Sequence, residues 1–433
     1  MARADTIFAL STAPGRSGVA IIRVSGPKAD TAIQILSGEA LPQPRTAVLR
    51  RLRDSPGAEI DRALVLRFQA PASFTGENSA EFHIHGGRAV VEAVLGALAL
   101  IPDLRPAEPG EFTRRAVENG KLDLTRAEAL ADLIDAETEA QRRQALRQYD
   151  GTLYELYEDW RARLIAAAAW AEAAIDFADE EIPEDVFGRA RTLIGEIAGE
   201  IQSHLSDSHR GELVRDGIHL TVIGKPNAGK SSLVNALAKR DMAIVSETAG
   251  TTRDVIEVRL DLGGYLVTIA DTAGLRATSD AIESEGVRRA LARAEAADLV
   301  ILLQDGTAAD EAEFARADLV VWNKADLPWP RPRDGLRLSL KTGEGLDALI
   351  AALTAKVAQK LETPTEAPPI TRARHRRALE EAVSALARAQ DATEAELMAE
   401  DVRLAMRAVG RITGKVDVED LLDVIFRDFC IGK

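Results

Sequence analysis

The stretch Gly224 to Ser232, GKPNAGKSS, constrains this chain more than any other. Gly224, Gly229, Lys230 and Ser231 occupy every defined position of the G-x-x-x-x-G-K-[ST] phosphate loop. Glycines let the backbone curl so that successive N–H groups face the phosphates, and the following helix adds its positive end. Lys230 is placed to reach the β- and γ-phosphates, and the Ser231 hydroxyl to ligate Mg²⁺. Asn227, Ala228, Gly229, Lys230, Ser231 and Ser232 are thus candidate nucleotide contacts. The setting also fits: an apolar run precedes the loop (His219–Ile223) and a helix-like SLVNALA follows it (Ser232–Ala238). The competing reading is a glycine-bearing turn in another α/β unit, and it weakens with each motif that follows.

Asp271-Thr272-Ala273-Gly274 ends an expected hairpin, Val255–Leu262 and Tyr265–Ala270 around Gly263-Gly264. Asp271 would hold the Mg²⁺ shell, and the Gly274 N–H would sense the γ-phosphate. Asn323-Lys324-Ala325-Asp326 follows the apolar run Leu319–Trp322. The Asp326 carboxylate can accept from both N1–H and N2–H of guanine. Adenine offers neither donor, so ATP would leave a buried charge unpaired. Ser339-Leu340-Lys341 resembles the short loop whose backbone meets the guanine oxygen, although its middle residue is usually Ala. Together these motifs point to GTP.

One expected group is missing. Where Ras-like proteins carry a water-orienting Gln just after the Asp-x-x-Gly glycine, this chain has Leu275. No arginine finger is identifiable either, and such a finger is worth roughly 10³–10⁵ in rate. Asn227 and the stretch SETAGTTRD (Ser246–Asp254) suggest a substitute: an amide oxygen and loop carbonyls holding a monovalent cation beside the phosphates. Thr251 or Thr252 would be the threonine that closes on Mg²⁺.

The length of 433 residues suggests about three domains. One cysteine excludes a disulfide framework and fits a reducing cytosol, and no leader or membrane span is evident, so a cytoplasmic protein is expected. The net charge of −15 argues against a protein that coats nucleic acid through its general surface. Residues 1–120 read as an α/β domain, with strands at Ile7–Ser11, Val19–Ser25, Ala47–Arg53, Arg62–Phe68 and Glu81–His85. Helices are expected over Lys28–Leu36 and Arg88–Leu100. His83 and His85 share one face of their strand and can be metal ligands, but without a third ligand nearby they read as packed or hydrogen-bonded residues. From Lys121 the chain turns alanine-rich and helical, with an apolar stripe Leu153, Leu156, Trp160, Leu164, Ala167, Ala171. The acidic run 176–185 reads as a solvated loop rather than a metal site, and Ser203–Asp216 as weakly patterned sequence. After TPTEAPP (Thr363–Pro369), helical patterning returns with Leu379, Val383 and Leu386. The expected organisation is therefore an N-terminal α/β domain (1–120), an all-α domain (121–216 with 361–433), and an inserted Ras-like P-loop α/β domain (217–360) with a mixed, mainly parallel sheet. Only about a dozen residues separate Gln304-Asp305 from Asp318, short for the helix usually found there, which leaves that sheet edge open. Cys430 is no prenylation box, because Gly432 breaks the pattern.

Several unrelated runs occur in the order of one family: APGRSGVAIIRVSG, SFTGE, PGEFTRRAVENGKLDLTRAEA, GKPNAGKSS, AGTTRD and the final CIGK. The chain resembles the MnmE (TrmE) family of tRNA-modifying GTPases over essentially its whole length. The resemblance implies a folate-binding, dimerising N-terminal domain, a helical domain and a potassium-dependent G domain. It implies a homodimer that works with a flavoprotein, MnmG, in a heterotetramer. That complex would install an aminomethyl-type group on C5 of the wobble uridine of certain tRNAs, which it would bind mainly as a complex. The one-carbon unit would come from 5-formyl- or 5,10-methylene-tetrahydrofolate. Carried over residue by residue, the potassium ligands fall on Asn227, Ser246, Thr248 and Thr251, and magnesium on Ser231 and Thr252. The water-orienting acid falls on Glu283, with Lys230 and Asn227 as its catalytic companions. Folate contacts fall on Arg23, Glu81, Lys121 and Lys433, and Cys430 is a characteristic residue of open role. The implied mechanism is a switch in which G domains meet across their nucleotide faces in the GTP state. A ribosome-assembly GTPase and a folate enzyme with a purely regulatory G domain are the competing readings.

Overall fold

A computed structural model describes residues 5–54, 56–176, 186–207, 209–240, 242–244, 257–270, 295–309, 316–361, 368–416, 422, 425, 426, 429, 431 and 432. The chain divides into two compact units, one of Met1–Ala131, Leu153–Ala162 and Met406–Lys433, the other of Asp132–Thr152 and Arg163–Ala405.

The first unit is built on a six-stranded sheet in the order β3-β4-β5-β2-β1-β6. The strands are β1 (Thr6–Leu10), β2 (Ser17–Ser25), β3 (Val48–Arg53), β4 (Glu59–Phe68), β5 (Ser79–Gly86) and β6 (Leu104–Pro106). Alternation places Ile22, Val24, Val65, Phe82 and Ile84 on one buried face. Helices α1 (Ala29–Ser37) and α2 (Arg88–Ala99) cover it with Ile33, Leu36, Val94 and Leu98. On the other side Ile7 and Ala9 pack with Phe112 of α3 (Glu111–Glu118). β4 and β5 begin two or three residues earlier than expected, because Glu59 pairs with Arg53 and Ser79 with Ser25 and Phe68. His83 and His85 are hydrogen-bonded, Nε2 to Glu81 Oε2 at 3.3 Å and Nδ1 to Asp61 Oδ1 at 2.7 Å. Among the described residues no group of three or more His, Cys, Asp or Glu side chains is placed to hold a metal ion.

After α4 (Leu124–Ile134) and α5 (Glu139–Tyr149), helix α6 (Thr152–Asp176) buries Leu153, Tyr157, Trp160, Leu164, Ala167 and Ala171, while Leu156 is only half-buried. Both stripes share the helix period and differ at one position, where Tyr157 rather than Leu156 takes the core. No described helix is long and apolar enough to cross a membrane.

The second unit holds a seven-stranded sheet in the order β13-β12-β11-β7-β10-β9-β8. Its members are β7 (Ile218–Ile223), β8 (Ala243–Ile244), β9 (Glu257–Leu262), β10 (Tyr265–Ala270), β11 (Leu299–Asp305), β12 (Leu319–Asn323) and β13 (Leu336–Arg337). β10, β7, β11, β12 and β13 run parallel, and β9 and β8 are antiparallel additions. Near-continuous apolar runs such as LVILLQD suit strands buried on both faces. The short crossover does not disturb this edge: β11 pairs with β12 from Ile301↔Leu319 to Asp305↔Asn323. Helix α9 (Lys230–Ala238) follows β7, and α10 (Leu346–Leu361) ends the sheet domain with Leu349, Leu353 and Val357 in its core.

The region expected to be weakly patterned is helical. α7 (Val186–Leu205) packs along α11 (Ala373–Asp391), and α8 (Arg210–Asp216) is a short helix set before β7. Seven residues carry too little periodicity to announce a helix, and tertiary contacts hold this one instead. Arg376 binds Asp207 at 2.7 Å and Glu212 at 3.4 Å, and a Cβ on Gly211 would lie 2.2 Å from the Ile370 carbonyl oxygen. Helix α5 meets the sheet domain end-on. The Ala140 N–H donates to the Gly264 carbonyl at 3.0 Å, and Arg259 pairs with Glu137 at 2.9 Å. Gln141 and Gln144 donate from Nε2 to the carbonyls of Arg215 and Gly211 at 2.9 and 2.8 Å.

Candidate functional site

β7 delivers the chain to Gly224, whose φ is +152° and whose added Cβ would lie 2.1 Å from the Leu303 carbonyl oxygen on β11. Only glycine passes so close to the neighbouring strand. Asn227 then takes φ +63°, a left-handed conformation that Asn tolerates better than most side chains. Gly229, at φ +106°, precedes α9, and a Cβ there would meet Asn323 Nδ2 at 2.5 Å. The first-turn N–H groups of α9, from Lys230 to Ser232, have no intrahelical acceptor and form an anion-ready end. The Lys230 ammonium curls over the loop and donates to the carbonyls of Gly224 at 2.9 Å and Lys225 at 3.0 Å. Burial lowers its pKa, as expected where the missing solvation is to be supplied by an anion. Ser231 is exposed at the first turn, where a hydroxyl can reach a phosphate-bound Mg²⁺. Asn227 is likewise exposed beside it.

Asn323, at the end of β12, joins the phosphate loop to the two loops expected to read the base, Asn323–Asp326 and Ser339–Lys341. Its Nδ2 donates to the Ala228 carbonyl at 2.8 Å, and its Oδ1 accepts from the N–H groups of Lys324 at 2.7 Å and Leu340 at 3.1 Å. Leu340 therefore contributes through its backbone, and its side chain lies against Gly229, 3.2 Å from an ideal Cβ. That is why Leu is accommodated where Ala is usual. Asp326 is exposed and oriented by the buried Ser339, whose Oγ donates to Oδ1 at 2.7 Å. Lys324, at φ +66°, sends its Nζ to Asp305 Oδ2 at 2.5 Å. Lys341 is exposed beside this loop. The structure thus brings Asn227 to Ser232, Asn323, Lys324, Asp326 and Ser339 to Lys341 around the carboxyl ends of parallel strands, where α/β sheets bind ligands. Ser246, Thr248, Thr251, Thr252, Asp271, Thr272, Ala273, Gly274 and Glu283 lie outside the described residues.

In the first unit, Arg23 and Glu81 are direct cross-strand partners on β2 and β5. Arg23 donates from Nη2 and Nε to Glu81 Oε1 at 3.0 and 3.1 Å. Its guanidinium lies 5.4 and 5.8 Å from the ring centroids of Phe74 and Phe112. Lys121 Nζ reaches the Pro71 carbonyl at 3.0 Å, and its stem borders Gly76 of the SFTGE loop. Next to Phe112 in sequence, Glu111 anchors a charge cluster with the buried Arg115 and the partly exposed Arg105. Glu111 accepts from Arg105 at 2.6 and 2.8 Å, from Arg115 Nη2 at 2.9 Å and from the Glu108 N–H at 3.0 Å. Burial alone would raise the Glu111 carboxyl, but these donors outweigh it and bring the pKa down to about 2. Cys430 and Lys433 lie outside the described residues. Between them Gly432 fits against Leu10, where a Cβ would come 2.2 Å from the carbonyl oxygen, and its own carbonyl accepts from Ser11 Oγ at 2.9 Å. β1 pairs Ala9 with Arg23, so the tail is anchored one residue from the strand partner of that arginine.

Two family profiles match: "GTP-binding protein TrmE N-terminus" over residues 6–121 and "MnmE helical domain" over residues 124–430. A tRNA modification GTPase MnmE of Parvibaculum lavamentivorans is 59% identical over 438 residues, covering 99% of this chain and 100% of the relative. Those of Rhodospirillum rubrum and Paramagnetospirillum magneticum are 57% and 55% identical, again over 99% of this chain and 99% and 100% of theirs. The chain belongs to the MnmE family.

Sequence reading of this MnmE-family chain missed the groups that act through others. Phe74 and Phe112 lie within the runs SFTGE and PGEFTRR, but their role emerges only where both rings flank the Arg23 guanidinium. Asp305, the acceptor for Lys324, could have been found from its place at the end of an apolar strand. Trp329 carried a signal in the rare composition of LPWPRPRDG directly after Asp326.

Proposed function

We propose that this chain is a potassium-dependent GTPase that acts with a flavoprotein partner to install an aminomethyl-type group at C5 of the wobble uridine of certain tRNAs. The observation that carries the GTPase part is Asn323, which locks the phosphate loop and both base-reading loops into one rigid frame. That frame suits a guanine nucleotide: Asp326 accepts from the base, Lys230 and the α9 end bind the phosphates, and Ser231 with Thr252 holds Mg²⁺. The exposed, left-handed Asn227 is suited to present an amide oxygen to K⁺, with Ser246, Thr248 and Thr251 completing the set. When bound, the two cations supply positive charge against the phosphates as negative charge develops there. Glu283 orients the attacking water in place of the missing glutamine, and the same Asn227 and Lys230 neutralise the phosphate side. Full-length kinship to relatives named tRNA modification GTPases supports the wider reading.

In this reading residues 1–120 form the folate-binding and dimerising domain, 121–216 with 361–433 the helical domain, and 217–360 the G domain. Lys121 and Lys433 offer cations to glutamyl carboxylates of a tetrahydrofolate derivative, while Arg23 and Glu81, paired side by side, face the pterin, Glu81 accepting its N–H donors. Two protomers form the homodimer, and GTP-driven contact between G domains moves the helical domain. The complex with the flavoprotein supplies most of the tRNA contact, in keeping with the acidic surface, and functions in the cytoplasm. The test is GTP turnover in potassium against sodium at equal ionic strength. A drop of at least tenfold in sodium, with GDP affinity retained, is expected; equal rates remove the cation from the mechanism.

A further inference from the structure

The base-reading loop is held from outside by a tryptophan that none of the motifs includes. Trp329 lies three residues beyond Asp326, and its indole Nε1 donates to the Lys324 carbonyl at 3.0 Å. That carbonyl also accepts the Leu327 N–H at 3.0 Å, so both of its lone pairs are engaged. Lys324 needs this support, because a non-glycine residue at φ +66° occupies a sparsely populated conformation that its surroundings must impose. The tryptophan is itself fixed. Its ring covers Gly306 so closely that a Cβ there would lie 2.2 Å from Cε2. The Arg337 guanidinium stacks 4.4 Å from its centroid, and Trp322 packs at 6.3 Å. Gly306 directly follows Asp305, the acceptor for Lys324 Nζ. The backbone of Lys324 is therefore clamped by Trp329 and its side chain by Asp305, both against the end of β11.

We propose that Trp329 is a positioning residue for guanine recognition, one that holds the Asn323–Asp326 loop so that the Asp326 carboxylate meets both donors of the base. This rests on the guanine-nucleotide reading above and extends it to a residue outside the nucleotide-contact motifs. Removing the indole N–H frees the loop to drift, and the loss falls on the hydrogen bonds made by Asp326. GDP presents two such donors and inosine diphosphate only one, so GDP loses more.

The experiment uses the full chain and two variants. Trp329→Phe keeps the ring over Gly306 but deletes the donor, while Gly306→Ala leaves Trp329 intact and pushes its ring aside. GDP and inosine diphosphate affinities are measured by displacement of a fluorescent guanine nucleotide, and the apo melting temperature by calorimetry. The expected result is a rise of about fivefold in the GDP Kd, the size one neutral hydrogen bond supports. The preference for GDP over inosine diphosphate should fall at least twofold in both variants, at a melting temperature within about two degrees of the parent in Trp329→Phe and several degrees lower in the overpacked Gly306→Ala. An unchanged preference in either folded variant overturns the proposal. So does an equal loss for both nucleotides that tracks a fall in melting temperature, which would make Trp329 a core residue only. Failure of the parent chain to prefer GDP over ADP would instead sink the guanine reading itself.

Discussion

The nucleotide frame and the Arg23–Glu81 region are built from different materials. Around Gly224 and Gly229 the shape is made by backbone: two glycines with no room for a Cβ, a helix end, and carbonyl and amide groups tied through Asn323. Around Arg23 it is made by charged side chains on neighbouring strands, with the Glu111–Arg105–Arg115 cluster next to Phe112 in sequence. A backbone site is local in sequence and fails when a methyl group is added. A side-chain site is scattered along the chain and fails when a charge is removed or titrated.

The largest effect expected from this contrast is in Gly224→Ala. Its methyl must displace the Leu303 carbonyl while the backbone remains strained, and overpacking and strain of about 1–3 kcal/mol each weaken GDP binding roughly a thousandfold. Equilibrium dialysis showing affinity within threefold of the parent would break the backbone half of the comparison. Next comes acid. The Glu111 carboxyl, held near 2 when folded against 4.5 as its ordinary value, stabilises the first unit fully above about pH 4.5. That stability is lost as pH falls from there toward 2. The shift corresponds to about 3 kcal/mol, so Glu111→Gln should lower stability at pH 7 by a similar amount and flatten the acid limb of urea melts. GDP affinity should not follow. A smaller effect is expected of Arg23→Ala, which removes a charge-assisted donor and should weaken 5-formyl-tetrahydrofolate about 10- to 100-fold in a fluorescence titration, with GDP binding unchanged. Unchanged folate affinity would take Arg23 out of that site.

The same contrast explains what could be read in advance. Residues 224–232, 323–326 and 339–341 announce themselves because curling a backbone around phosphate, or reading one base, demands fixed residue types at fixed spacing. The longer strands β1 to β5, β7, β9, β10 and β12 were visible from patterned or apolar runs, to within a few residues at their ends, whereas β6, β8 and β13, two or three residues each, carried too little pattern to be seen. Helix α8 was not, since its seven residues owe their conformation to Arg376, Gln144 and the close approach of Ile370 to Gly211. Tyr157 was passed over because one misplaced apolar residue, Leu156, mimicked the stripe. From the residues alone, nothing joined Arg23 to Glu81; only family resemblance did, and β2 and β5 then place the two side by side. The roles of Phe74, Phe112 and Trp329 had no spacing rule to betray them, even where the residue sits inside a recognisable run, because they act on a functional group rather than by being one.

The end-on meeting of α5 with the β9–β10 turn also limits how firmly these parts are held. Helix α5 caps its own end through the Thr138–Gln141 box, and only the next amide, that of Ala140, borrows the Gly264 oxygen, with the half-exposed Arg259–Glu137 pair adding little beside it. Such polar fastenings are each worth about 1 kcal/mol net, and solvent can replace them on either side. The junction is a latch rather than a weld: its hold is the sum of a few such bonds, those of Gln141 and Gln144 to α8 included, and not of an apolar seam.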